Sequence, residues 1–327
     1  EMRNSGRNQE MKRRRVEYRK KGQTGNRLLL LATMAAIVVL VFHIRDIKAE
    51  LEEMRTALKR IEVLQYGRIE TSVKAGPQEE TDYVSSIAIM NVEKPVQRTW
   101  AETIQRLEEL GKENTGIAAI CRNSSQYPEA MLTALANNPE MADFVAGYPN
   151  GSEYTAGGLT ELEKEQECPL LLQWDPRWGY EPYGGDSCIG LAGCGPTCLS
   201  MILYYLTRDE TLTPDRIAAY SMENGYYVNG TGTAWGLMED FPEMYGIKAV
   251  EPRMTERAVK AALDKGKILI CAMGQGDFTV SGHFIVIYGY DDSGFWVNDP
   301  NCVARSRREW TFEEIEDQIK KIWAYEK

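Results

Sequence analysis

Histidine is almost missing from this sequence: 327 residues contain only two, His43 and His283. A metal centre built on several imidazoles is therefore excluded. A basic excess is missing as well. The formal charge is −10, and residues 1–45 hold 11 of the 38 Lys and Arg but 3 of the 48 Asp and Glu. That is a net +8 on the first 45 residues and −18 on the rest. Nothing in the acidic bulk would neutralise phosphates, so no nucleic-acid partner is expected. An even cysteine count is missing too: with seven, at least one thiol stays free or pairs between chains. What is present suits a folded protein. Hydrophobic residues make up 43% and charged residues 26%, enough for a core, and the length allows two domains.

The first residue is Glu, so the natural start is expected to lie upstream. Residues 1–27 carry ten Lys and Arg and read as a basic cytoplasmic tail touching anionic lipid. From Leu28 to Ile44 run 17 residues without formal charge, between Arg27 and Arg45. This is the lower limit for a helix crossing ~30 Å of hydrocarbon, and the flanking arginines can snorkel. A cleaved signal peptide would have a shorter apolar region and an Ala-x-Ala-like site, but HIRDIKAELEE follows instead. A buried globular helix would leave the basic flank unexplained. Residues 28–44 are thus expected to be a transmembrane helix in contact with membrane lipid, with everything beyond 45 outside the cell.

Ile44, Ile47, Leu51, Met54, Leu58 and Ile61 then alternate spacings of 3 and 4, a heptad seam of under three heptads. Residues 45–66 are expected to form a coiled-coil stalk that allows a homodimer, or else a plain amphipathic helix. Residues 67–96, with AGPQEETD, read as a linker. Residues 97–150 are helical in pattern. Trp100, Ile104, Leu107 and Leu110 share a face before Gly111, and Pro128 and Pro139 each open a short helix. Leu132, Leu135, Phe144 and Val145 would pack together in a small helical module leaning on the next domain. Residues 151–166 read as a second linker.

From 167 to 327 the pattern changes. GDSCIGLAGCGPTCLSMILYYL puts a glycine-rich turn before a helix, with Pro196 in its first turn and Leu199, Ile202, Leu203 and Leu206 as its buried stripe. Cys194 sits at the mouth of that helix, where free amides and the helix dipole favour the nucleophilic thiolate. Thr213-Pro214 and Thr255 start further helices, and Thr311 with Glu314 has capping-box spacing. Three strand-like runs follow one another: KILICAM, HFIVIYGY and GFWVNDP, the last two joined by a turn at Asp291–Gly294. His283 opens one strand of this hairpin and Asp299 ends the other, so the two side chains are expected side by side. Singly, Cys194, His283 and Asp299 each have a structural explanation. Together they make the thiol–imidazole–carboxylate set of nucleophilic acyl transfer.

The segments QWDPRWGYEPYGG, AGCGPTC, GHFIVIYGY and VNDP resemble the papain-like cysteine peptidases related to the double-glycine leader peptidases of bacteriocin export. The resemblance covers roughly residues 168–327 and implies an α+β fold, a helix carrying the Cys packed on an antiparallel sheet carrying His and Asp. It implies Cys194 as nucleophile, His283 as general base and then acid, and Asp299 as its orienting partner. The family's oxyanion hole takes a Gln upstream of the Cys together with the Cys backbone N–H. The leader peptidases keep that Gln about six residues before the Cys, where this chain has Cys188; the nearby glutamine is Gln173. NGTGTAWGLMEDF resembles the family's Gly-Thr-x-Trp segment, in which Thr233 would cap a helix and Trp235 would border the cleft or pack in the core.

Cys168 with Cys188 is one pairing open to the remaining cysteines, whose connectivity the sequence does not fix. The expected activity is hydrolysis of peptide bonds at a bacterial cell surface, without a cofactor. Peptidoglycan stem-peptide cleavage and acyl transfer would use the same three residues. A silent papain-like binding module is the alternative from another class.

Overall fold

The computed structural model describes residues 83–87, 92–153 and 157–327. The expected tail at 1–27, the expected membrane span at 28–44 and the expected stalk at 45–66 lie outside the described residues. Among the described residues no helix is long and apolar enough to cross a membrane.

The helical module contains α1 (Trp100–Leu110), α2 (Thr115–Arg122), α3 (Glu129–Asn137) and α4 (Ala142–Gly147). A capping box at Thr99 and Glu102 starts α1, and the Asn114 side chain caps α2. Leu107, Ile117, Ile120, Leu132, Leu135, Phe144 and Val145 are fully or almost fully buried in one core. That core also takes in Leu172, Trp174 and Val303 from the following domain, which is why the module leans on it. The face expected on α1 differs at its start. Trp100 is 42% exposed while Thr103 is buried, so the apolar stripe is rotated toward Thr103 and Leu107.

The second domain is an antiparallel six-stranded sheet with a helix buried against one face. After α5 (Cys194–Thr207) and α6 (Pro214–Glu223) come a short hairpin of β1 (Tyr227–Val228) and β2 (Gly232–Thr233), then α7 (Leu237–Glu243). The sheet is built from β3 (Lys248–Val250), β4 (Ile268–Met273), β5 (His283–Tyr290), β6 (Phe295–Asn298), β7 (Glu309–Trp310) and β8 (Ile319–Glu326). Their order is β3-β8-β4-β5-β6-β7. Between them lie α8 (Glu256–Leu263), α9 (Val303–Ser306) and α10 (Phe312–Ile315), the first capped by Thr255 and the last by a Thr311–Glu314 capping box.

Side chains alternate across a strand, and β4 uses both faces. Ile268, Ile270 and Ala272 enter the core shared with α5, while Leu269, Cys271 and Met273 enter a second core with Val259 of α8 and Ile315 of α10. Two covered faces explain why this strand reads as an unbroken apolar run. Helix α5 departs from the expected single stripe for the same reason: every residue from Gly195 to Tyr204 is buried, and Leu206 is only half-buried.

Both stretches expected as linkers are partly fastened down. Val84 and Ile87 are buried in the module's core. Thr160 caps a short helix, Glu161–Glu165, whose buried Glu163 accepts two bonds from the Arg177 guanidinium at 2.8 and 2.6 Å. Charge-assisted forks of this kind hold planar geometry well.

Candidate active site

Cys194 is the first residue of α5, following Gly193. The first i→i−4 bond of the helix runs from Thr197 N to Gly193 O, and Pro196 has no N–H. The amides of Cys194 and Gly195 are thus helix-end donors without an intrahelical acceptor. Gly195 is required by packing, because a Cβ there would lie 2.8 Å from the Thr233 side chain. That close approach brings β2 against the helix mouth. Cys198, one turn on, is fully buried and faces the core.

The β5–β6 register pairs Val286 with Asn298, so the chain leaves β6 at Asp299 close to the start of β5. His283 Nε2 lies 2.7 Å from Asp299 Oδ1, and Cys194 is near enough to the same imidazole to influence its charge. With Asp299 accepting the Nε2–H, the other ring nitrogen is left for the thiol. His283 is 8% exposed and Asp299 is fully buried.

Burial is the largest influence on His283 and opposes its charge, but the Asp299 carboxylate and the adjacent Cys194 outweigh it and lift the pKa to about 9. Burial likewise opposes ionisation of Asp299. The Arg305 guanidinium and His283 overcome it and hold the carboxyl at about 2. A raised histidine pKa means the pair contributes its full stability below about pH 6.5 and loses it as pH rises through about 9. Melting temperature followed through that window should fall as His283 discharges. Asp299→Asn should flatten the fall, because the imidazolium loses its partner.

Asp299 is caged. Its Oδ1 also accepts from Asn301 N at 2.8 Å, and its Oδ2 accepts from Arg305 Nε at 2.6 Å. Its amide donates to Ser306 Oγ at 2.8 Å. Sequence reasoning missed Arg305 and Ser306. They sit in the run ARSRRE, where no pattern separates a buried arginine from its exposed neighbours.

Gln173 is 3% exposed, and its backbone N–H donates to Pro300 O at 2.7 Å, which ties it beside the Asp299 loop. Its Nε2 donates to Gly190 O at 2.9 Å, while Oε1 is buried without a partner. An amide nitrogen carries two protons, so the second remains free. Gln173, Cys194, Trp235 and His283 all line one cleft of about 940 Å³. The structure therefore puts Gln173 on the same cleft as Cys194, 21 positions further along the sequence, though Cys188 fills the nearer offset. Trp235 is 46% exposed at this cleft, its ring edge-on to Trp323 at 5.9 Å. Thr233 does not cap a helix. Its hydroxyl bonds the Tyr183 hydroxyl at 2.7 Å, and α7 begins after Gly236 with no side-chain cap.

One cleft wall was not foreseen from the sequence: Ala130, Thr133, Ala134 and Asn137 of module helix α3 line it. All seven cysteines are free thiols, including Cys168 and Cys188. Among the described residues, no three His, Cys, Asp or Glu side chains gather where they could hold a metal ion.

Residues 165–327 match the model of the Peptidase_C39 like family. This part of the chain is thus similar to the C39-like peptidases, and it is built of mixed helix and antiparallel sheet. The chain is also similar to the crystal structure of a C39-like peptidase from Bacillus anthracis, at 16% identity and a TM-score of 0.34, over 49% of this chain and 94% of that one. No curated protein matches the chain.

Proposed function

We propose that the chain is a membrane-anchored extracellular cysteine peptidase, tethered by residues 28–44, that cleaves peptide or protein substrates at a bacterial surface. The observation carrying this reading is the relay itself. A half-buried thiol at a helix mouth shares a cleft with an imidazole, one nitrogen of which is locked on a buried, ionised carboxylate.

In the reaction, the Cys194 thiolate attacks the scissile carbonyl carbon and the carbonyl electron pair moves onto oxygen. The Cys194 N–H and the second N–H of Gln173 Nε2 donate to that oxyanion. Collapse expels the amine, which takes a proton from the His283 imidazolium and leaves an acyl thioester. Water then attacks the thioester as His283 takes its proton, and the acid departs from the Cys194 sulfur. Asp299 stays ionised throughout, fixing the tautomer and steadying the imidazolium.

The test is competitive labelling of the seven cysteines with an electrophilic peptide. Cys194 should label fast and alone; equal, slow labelling of several cysteines would favour a binding module instead. Gln173→Ala should lower kcat about 100-fold with little change in KM, since an oxyanion donor acts on the transition state. An unchanged kcat would remove Gln173 from the mechanism.

A further inference from the structure

Residues 97–150 lie outside the matched domain, yet they hold the loop that holds Asp299. Glu140, between α3 and α4, is 4% exposed and reaches α9 with both carboxylate oxygens. Oε2 accepts from Val303 N at 2.8 Å and Oε1 from Ala304 N at 3.0 Å. The neighbouring Asn138 is 1% exposed; its Nδ2 donates to Asn301 O, and its Oδ1 accepts from Glu140 N at 3.1 Å. These three grips fall at 301, 303 and 304. The groups that cage Asp299 are Asn301 N, Arg305 Nε and Ser306 Oγ, in the same turn of chain. Val303 is itself fully buried in the module's core.

We infer that Glu140 and Asn138 are positioning residues, and that through them the helical module sets the orientation of Asp299 and so of His283. Helix α9 has four residues and cannot sustain its own geometry, since so short a helix is marginal without outside partners. Its first amides would be orphaned without an acceptor, and Glu140 supplies a carboxyl oxygen to each of two. Asp299 is fixed to α9 on one side, by Arg305 and Ser306. A loose α9 therefore leaves the carboxylate free to turn away from the imidazole. Misplacing an orienting group by about 1 Å is enough to lower a rate on the order of 100-fold.

This inference rests on Cys194, His283 and Asp299 being the working site, but its test does not need turnover. Two histidines in the whole chain make the imidazole titration of His283 readable by nuclear magnetic resonance on the intact, ¹⁵N-histidine-labelled protein, with His283→Asn assigning the signal. The groups facing that imidazole are Asp299 and Cys194, with Arg305 behind Asp299. Glu140→Ala should lower the His283 pKa by about one unit, toward the value in Asp299→Asn. Glu140→Gln keeps the shape with one acceptor oxygen, and should fall between parent and alanine.

Adding Glu140→Ala to Asp299→Asn should change the titration no further, because both act through one group. A variant that melts earlier but titrates like the parent would reduce Glu140 to a packing residue and overturn the inference. So would additive shifts in the double variant. A normal titration pattern with no cysteine labelling would instead sink the peptidase reading alone.

Discussion

Cys194→Ala is expected to lower peptide hydrolysis by about 10⁴-fold or more, down to what binding and the oxyanion donors supply without a nucleophile. The same change should leave the fold in place, since the side chain is only half-buried at the helix mouth and alanine suits a helix. Matching melting curves with lost turnover is the predicted pair of results. Labelling strengthens the test because the other six thiols are poor competitors. Burial pushes up Cys168, Cys188, Cys198, Cys271 and Cys302, and also the half-buried Cys121. A thiol held in its protonated form is a weak nucleophile. Fast labelling in the parent that vanishes in Cys194→Ala therefore points to one sulfur. Activity surviving in Cys194→Ala above about one part in a hundred would falsify the proposed nucleophile.

His283→Ala should be nearly as damaging, about 10³- to 10⁴-fold in kcat/KM, because both the ion pair and the proton delivered to the leaving amine disappear. The pH dependence carries more information than the size of the loss. In the parent, turnover should fall above about pH 9, where His283 gives up its proton. With Asp299→Asn the imidazolium loses its carboxylate, its pKa drops, and the alkaline limb moves to lower pH. With His283→Ala the limb should be gone. An alkaline limb unchanged in both variants would assign it to some other group. The buried Asp299 keeps Arg305 as a partner when His283 is removed, so the carboxylate is not left uncompensated and the protein should still fold.

The C-terminal half of the chain was legible because its signals are local. The helix beginning at Cys194, the hairpin whose strands begin at His283 and Gly294, and the Thr311–Glu314 capping box each depend on residues a few positions apart. The structure puts each close to where the spacing does. Two local expectations failed. Thr233 has the position of a helix cap but is drawn to the Tyr183 hydroxyl, a partner 50 positions away. Trp100 has the spacing to share the apolar face of Ile104, Leu107 and Leu110 but is 42% exposed, because the module's core turns the helix toward Thr103.

By itself, then, the sequence determined the order of elements and the chemical set, since helix mouths, turns and apolar periodicity are properties of neighbouring residues. Only the tertiary structure decided what surrounds that set. Gln173 reaches the cleft because its amide pairs with Pro300, Arg305 and Ser306 close on Asp299 because α9 folds back, and Glu140 meets α9 across 163 positions. Contacts of that separation follow from how two cores pack together, and no periodicity along the chain encodes them.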